Sequence, residues 1–212
     1  MKAKHTKKGH IICISGPSAV GKSTLIDIVQ SRTNAKQAYS VTTRPLRDEN
    51  DKRIPVTMEK FTEMQANNEL IESIVYDGSA YGISRHIVNQ ILDDGMVAVL
   101  DCNESGVRQV LTSDLGEKIT TVFLVCSPEQ LLERQLQRNA GTLESRRYRL
   151  RLALDEIEGA NNREIFQYVI CNDDLEVAAT KIVKLVNNIP IESDPFNVDA
   201  FKAQLQSLID SL

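Results

Sequence analysis

No apolar run in this chain approaches the about 18 to 20 residues that a membrane-crossing helix needs. Met1 to His10 also lacks the apolar core of a signal peptide, so a cytoplasmic protein is expected, with no membrane partner. The four cysteines, Cys13, Cys102, Cys126 and Cys171, show no C-x-x-C spacing. Each falls in a stretch read as a buried strand, which suits small hydrophobic thiols in a reducing compartment better than disulfides or a zinc site. Positive charge is not in excess: 25 Lys and Arg stand against 29 Asp and Glu, and a net charge of −4 argues against a nucleic-acid binder. No Ser-His-Asp or Cys-His set is visible, and His86, on an expected helix, reads as a surface residue. Internal repeats and low-complexity segments are missing too. What remains is an ordinary globular composition, 42% hydrophobic and 25% charged over 212 residues, enough for one domain with an insertion or lid.

One stretch stands apart from that plain background. Gly16-Pro17-Ser18-Ala19-Val20-Gly21-Lys22-Ser23 fits G-x-x-x-x-G-K-[ST] and is followed by Thr24. Such a loop wraps a polyphosphate in backbone N–H groups, with Lys22 reaching the β- and γ-phosphates and the Ser23 hydroxyl placed on Mg²⁺. Ile11 to Ser15 before it reads as a buried strand, and Leu25, Ile28 and Val29 after it recur at helical spacing. The loop therefore lies at a helix N-terminus, where the dipole favours an anion. That setting disfavours a glycine-rich turn that binds nothing.

Farther on, strands are expected at Ala38 to Thr42, Arg53 to Thr57 and Glu69 to Tyr76, with a short helix from Glu59 to Asn67. After the Asp77-Gly78 turn comes a helix from about Arg85 to Asp94. Met96 to Leu100 and Ile119 to Val125 are continuous apolar runs, the mark of strands covered on both faces. Further helices are expected at about Glu104 to Leu111, Pro128 to Arg138, Arg146 to Arg163 and Leu175 to Val186, with Tyr168 to Cys171 as the last core strand. This alternation predicts an α/β fold, a central parallel sheet flanked by helices, with ligands at the carboxyl ends of the strands. The antiparallel-looking patch from Arg53 to Ile83 is the expected insertion.

Arginines narrow the chemistry. Arg44 and Arg47 stand just after a strand, with Ser40 and Tyr81 as hydroxyl donors, and guanidinium forks of this kind suit a phosphate monoester. Arg134, Arg138 and Arg149 flank the polar stretch Asn139 to Ser145, read as a lid whose arginines stabilise charge on a transferring phosphoryl group. Part of the run Arg146, Arg147, Arg149 and Arg151 reads as a solvated helix face. Asp101, ending a buried strand, is placed either to hold Mg²⁺ through water or to bind the acceptor. A phosphomonoester has its second pKa near ~6 and needs no general base to attack.

In order along the chain, the motifs are the phosphate loop, Ser40-Val41-Thr42-Thr43-Arg44-x-x-Arg47, Glu69-Leu70-Ile71-Glu72, Tyr81-Gly82, and Leu100-Asp101 followed by Gly106-Val107. Arg134-x-x-x-Arg138 with Arg149-Leu150, and Asn172-Asp173-Asp174-Leu175, complete them. Over about Gly9 to Val186 this set resembles the guanylate kinases. The resemblance implies a P-loop NTPase three-layer fold within a domain 1–188. Its parts would be a core (9–37, 96–136 and 165–188), a mixed-β nucleotide-monophosphate insertion (about 38–95) and a helical lid (about 137–160). It implies transfer of the ATP γ-phosphate to GMP with Mg²⁺, by a monomer or homodimer whose partners are these nucleotides. ATP would be bound by Gly16, Ser18, Ala19, Val20, Gly21, Lys22, Ser23, Thr24 and Asn172, and the metal by Ser23 and Asp101. The acceptor would meet Ser40, Arg44, Arg47, Glu72, Tyr81, Ile83, Asp101 and Asn103. Lys22, Arg134, Arg138 and Arg149 match positions that stabilise the transferring group.

The chain departs from the family at three places. The segment after Arg47 is about three residues shorter, with Arg53 or a neighbour where the family has a phosphate-touching tyrosine. Tyr81-Gly82 is followed by Ile83 instead of a hydroxyl residue, and Asn103 replaces an aspartate that reads the base. These changes leave guanine O6 short of one donor unless Ser84 or the Asn103 amide replaces it, and predict weak use of GMP. A ribose 1,5-bisphosphate kinase is the first alternative, disfavoured by the presence of both Arg44 and Arg47; a non-catalytic scaffold module is the second, disfavoured by the intact loop and Lys22. Residues 189–212 read as a linker and a helix with one apolar stripe, Phe201, Leu205, Leu208, Ile209 and Leu212, that packs on the core or joins a dimer.

Overall fold

The computed structural model describes residues 9–46, 48–76, 78–115, 119–138 and 142–212, without the side chains of Tyr76, Arg138, Ser145 and Arg146. In chain order the elements begin β1 (Ile11–Ser15), α1 (Lys22–Arg32), β2 (Ala35–Gln37), β3 (Val41–Thr42), β4 (Ile54–Pro55) and α2 (Met58–Ala66). They continue with β5 (Leu70–Tyr76), β6 (Ser79–Ser84), α3 (Arg85–Asp93), β7 (Val97–Asp101), α4 (Glu104–Leu111) and β8 (Ile119–Val125). The last are α5 (Pro128–Arg138), α6 (Leu143–Glu156), β9 (Tyr168–Cys171), α7 (Leu175–Val186) and α8 (Val198–Asp210). No described helix is long and apolar enough to cross a membrane.

The continuous apolar runs become the central sheet, ordered β2-β7-β1-β8-β9, with parallel ladders between β2 and β7 and between β8 and β9. β1 is buried along its whole length, as strands covered on both faces must be. All four cysteines are free thiols on or beside these strands, three buried and Cys171 half-buried.

A second, four-stranded sheet is ordered β4-β3-β6-β5. The expected antiparallel patch proves mixed: β5 and β3 pair antiparallel with β6, but β4 runs parallel to β3. The single strand expected from Ala38 to Thr42 is also divided. Ala38 N–H makes a last bond to Val99 O at 3.0 Å, and two residues later Ser40 O already accepts from Ile54 N–H, so the chain changes sheets between them. Val41, Phe61, Met64 and Ala80 form the small core beneath this sheet, which α2 covers.

The expected helix from Arg146 to Arg163 starts earlier, at Leu143, and stops at Glu156, where Ile157–Asn161 tightens into a 3₁₀ turn. Gly159 lies in that turn against the Phe123 ring, so close that a Cβ would stand 2.4 Å from it. By its contacts the chain forms two compact units, one of the chain up to Cys13 with Asn34–Thr120, the other of Ile14–Thr33 with Thr121–Leu212.

Candidate active site

The end of β1, Ile14 and Ser15, belongs to the second unit and runs into the glycine-rich loop. Gly16, at φ 140°, sits where a Cβ would stand 2.5 Å from Leu124 O, so no other residue fits without moving β8. Val20 N–H turns back to Pro17 O at 3.2 Å, and Gly21, at φ 102°, starts α1 with no side chain capping it. The first-turn N–H groups of α1 are thus left for a ligand, with the exposed Ser23 and Thr24 hydroxyls beside them. Lys22 Nζ donates to Gly16 O at 2.6 Å and Pro17 O at 3.0 Å, its ammonium folded over the loop.

The loop is braced from behind. Arg134 Nη1 and Asn172 Nδ2 both donate to Val20 O, at 2.9 and 2.8 Å, while Arg134 Nη2 reaches Asn172 O at 2.9 Å. Asn172 Oδ1 is buried with no partner among the described residues, an acceptor that an incoming donor could satisfy. Ser18 is held on both sides: its N–H donates to Glu156 Oε2 at 2.9 Å and its carbonyl accepts from Gln135 Nε2 at 3.0 Å. Sequence reasoning missed Gln135 and Glu156. The available signals were a glutamine four residues after buried Leu131 on one helix face, and a carboxylate at a helix C-terminus, where the dipole disfavours it. Arg149 is exposed on α6; Arg47 and the Arg138 side chain lie outside the described residues.

The first unit holds the other expected set. Glu72 pairs with Ile83, and Tyr81 with both Ile74 and Thr42. Opposed residues share a face and neighbours alternate, so Glu72, Ile83, Tyr81 and Thr42 lie on one face, and Val41, Ala80 and Gly82 on the face toward Phe61. By the same alternation Ser40 and Arg53 belong to the Glu72 face. The sheet therefore brings together Ser40, Glu72, Tyr81 and Ile83, with Arg44 just beyond β3. Ile83 is 0% exposed and serves as packing in this state.

Glu72 is 5% exposed. Burial, then the Asp101 carboxylate, push its carboxyl up to about 7. It rests against the first turn of α4, where a Cβ on Gly106 would come within 2.8 Å of Glu72 Oε2, which explains the glycine in the Gly106-Val107 motif. Asn103 Oδ1 accepts from Gly106 N–H at 2.9 Å and so serves as the N-cap of α4. Arg44 Nη2 donates to Asp51 Oδ2 at 2.6 Å. Among the described residues no group of three His, Cys, Asp or Glu could hold a metal ion.

With these parts in place, comparison with known proteins is specific. The guanylate kinase family model matches residues 8–189. A guanylate kinase of Mycoplasmoides gallisepticum is 34% identical over 186 residues, covering 85% of this chain and 93% of its own. One from Lactococcus lactis subsp. lactis is 32% identical over 215 aligned positions, covering 97% and 98%. The crystal structure of guanylate kinase from Anaplasma phagocytophilum, 24% identical over 86% of each chain, superposes with a TM-score of 0.62 and shows the likeness of fold. On residues 8–189 and on these relatives alike, the chain belongs to the guanylate kinase family.

Proposed function

We propose that the protein transfers the γ-phosphate of ATP to GMP, giving ADP and GDP. The observation that carries the proposal is the intact phosphate loop of a guanylate kinase family chain, with α1 uncapped and Lys22 at its mouth. The loop N–H groups and Lys22 take the β- and γ-phosphates, for which Lys22 leaves the Gly16 and Pro17 carbonyls. Asn172 and Arg134 hold Val20 in place and line the donor side. Residues 38–95 act as the acceptor insertion and 137–160 as the lid, which brings Arg138 and Arg149 to the transferring group.

On the acceptor side, Ser40, Arg44, Arg47 and Tyr81 bind the GMP phosphate, and ionised Glu72 accepts guanine N1–H and the exocyclic amine. Asp101 and Asn103 border that base pocket. An oxygen of the GMP phosphate, already deprotonated, attacks the γ-phosphorus as its bond to the β-bridging oxygen breaks, and ADP leaves with that electron pair. The exposed Ser23 hydroxyl fits a Mg²⁺ ligand, with Asp101 as the carboxylate candidate. When bound, the ion supplies charge neutralisation on the β- and γ-phosphates. A cytoplasmic monomer or homodimer completes the proposal. Lys22→Ala tests it: ADP release with GMP should fall by about 10² or more in kcat, and an unaltered rate would contradict it.

A further inference from the structure

Beside β3 and β4, two arginines converge on one carboxylate. Arg44 Nη2 donates to Asp51 Oδ2 at 2.6 Å, and Arg53 Nη1 donates to Asp51 Oδ1 at 2.9 Å. The Asp51 side chain is 5% exposed, against 19% for Arg44 and 33% for Arg53. A carboxylate with a guanidinium on each oxygen is the arrangement that arginines also make around a phosphate. Strand pairing explains the meeting. Ile54 N–H donates to Ser40 O at 3.0 Å, so Arg53, immediately before β4, comes beside Ser40, while Arg44 follows β3. Arg44 Nε is buried with no partner among the described residues, so Asp51 does not saturate that side chain. Asp51 itself ends a turn, its N–H donating to Asp48 O at 3.2 Å, and the neighbouring Asp48, Glu49 and Asn50 are exposed.

Resting on the reading of Ser40 and Arg44 as ligands of the acceptor's phosphate, we propose that Arg53 is a further ligand of that phosphate. Asp51 is then a built-in placeholder, holding the two guanidiniums together until the phosphate displaces it. The exchange is chemically favoured in direction. A carboxylate carries one negative charge and two acceptor oxygens, whereas a phosphomonoester carries nearly two charges and three oxygens. The empty clamp needs some anion, because two guanidiniums brought this close repel one another unless charge is shared between them. Asp51 Oδ1 also accepts from Arg53 N–H at 3.4 Å, a long bond that is given up when Asp51 withdraws with the exposed turn 48–50. The Asp51 charge that remains nearby opposes the arriving phosphate, so the placeholder lowers affinity while keeping the clamp assembled.

Titration calorimetry of GMP and guanosine against the wild type, Arg53→Ala, Arg53→Lys and Asp51→Asn tests the assignment. Arg53→Ala should weaken GMP by about ten- to hundredfold, the loss of charge-assisted hydrogen bonds, and leave guanosine within about twofold. Arg53→Lys should recover part of the loss, because it restores the charge without the fork. Asp51→Asn should strengthen GMP several-fold with guanosine unchanged. If Arg53→Ala weakens both ligands alike, or neither, Arg53 is structural and the assignment is overturned. A weaker GMP complex in Asp51→Asn would make Asp51 a permanent bracket and overturn the exchange. Failure of the underlying reading looks different: the wild type itself would then bind GMP no more tightly than guanosine.

Discussion

Glu72 holds its proton up to about pH 7 in the folded protein, against an ordinary value of 4.5, because burial and Asp101 both disfavour the charge. A folded-state pKa above the unfolded one gives stability that is fully present below the unfolded value and is lost as pH rises through the folded one. The window is therefore pH 4.5 to about 7, and a shift of that size corresponds to at most roughly 3 kcal/mol. Glu72→Gln, which never ionises, should be more stable than the wild type at pH 8 by about 1–3 kcal/mol, with the gap closing near pH 5. Urea unfolding at the two pH values measures this, and GMP binding by the same variant should be lost. Equal stability at pH 8 would mean that Glu72 is solvated as an ordinary carboxylate. The sequence showed Glu72 as a candidate through its motif but not its state, since burial depends on the distant Gly106 turn. Likewise Gln135 and Glu156 act on Ser18 only because three remote segments meet, and neither belongs to a short pattern.

At the scale of elements, the phosphate loop works through backbone conformation. Gly21 combines φ 102° with a position where a Cβ would stand 2.5 Å from Asn172 Nδ2. Gly21→Ala should therefore destabilise the fold by about 1–3 kcal/mol and weaken ATP binding, because the new methyl pushes Asn172 off Val20. Thermal unfolding with and without ATP checks both effects, and a variant with wild-type values for both would contradict the steric reading. Apolar runs made β1, β7, β8 and β9 legible: the first three are almost wholly buried, and the shorter β9 still buries Val169 and Ile170. The two-residue strands β3 and β4 were harder: neither is long enough to show a period, and their pairing depends on Ser40 and Ile54 meeting across a turn. The loop pattern was legible for the opposite reason, since every glycine in it answers a local steric demand.

For the whole chain, the open question from sequence was the C-terminal helix. Val198, Phe201, Leu205 and Ile209 of α8 are buried, and the helix packs against α5 and α6. The segment leading to it covers the edge of β9: Asp194 N–H donates to Val169 O at 2.9 Å, Asp194 Oδ2 accepts from Cys171 N–H at 2.8 Å, and Ser193 Oγ accepts from Val169 N–H at 3.1 Å. Lys181 pairs with the same aspartate. Such a cover blocks strand-to-strand association. Truncation after Asn188 should consequently lower stability by several kcal/mol and promote aggregation, as urea unfolding and light scattering would record. Undiminished stability with a changed oligomer would instead assign α8 to an intermolecular contact. The apolar stripe could be read from spacing, but its partner could not, because a stripe does not say whether the surface it meets belongs to the same chain.

The most direct test of the whole account is ADP release from ATP and Mg²⁺ in the presence of GMP, dGMP, AMP, UMP, CMP or ribose 1,5-bisphosphate. GMP should be the best acceptor, but with turnover at or below the low end of the roughly 1–100 per second of kinases generally, because Ile83 and Asn103 cost guanine a donor. AMP should be slower by about tenfold or more, since its base offers Glu72 no N1–H. Faster release with ribose 1,5-bisphosphate than with GMP, or none with any acceptor, would contradict it.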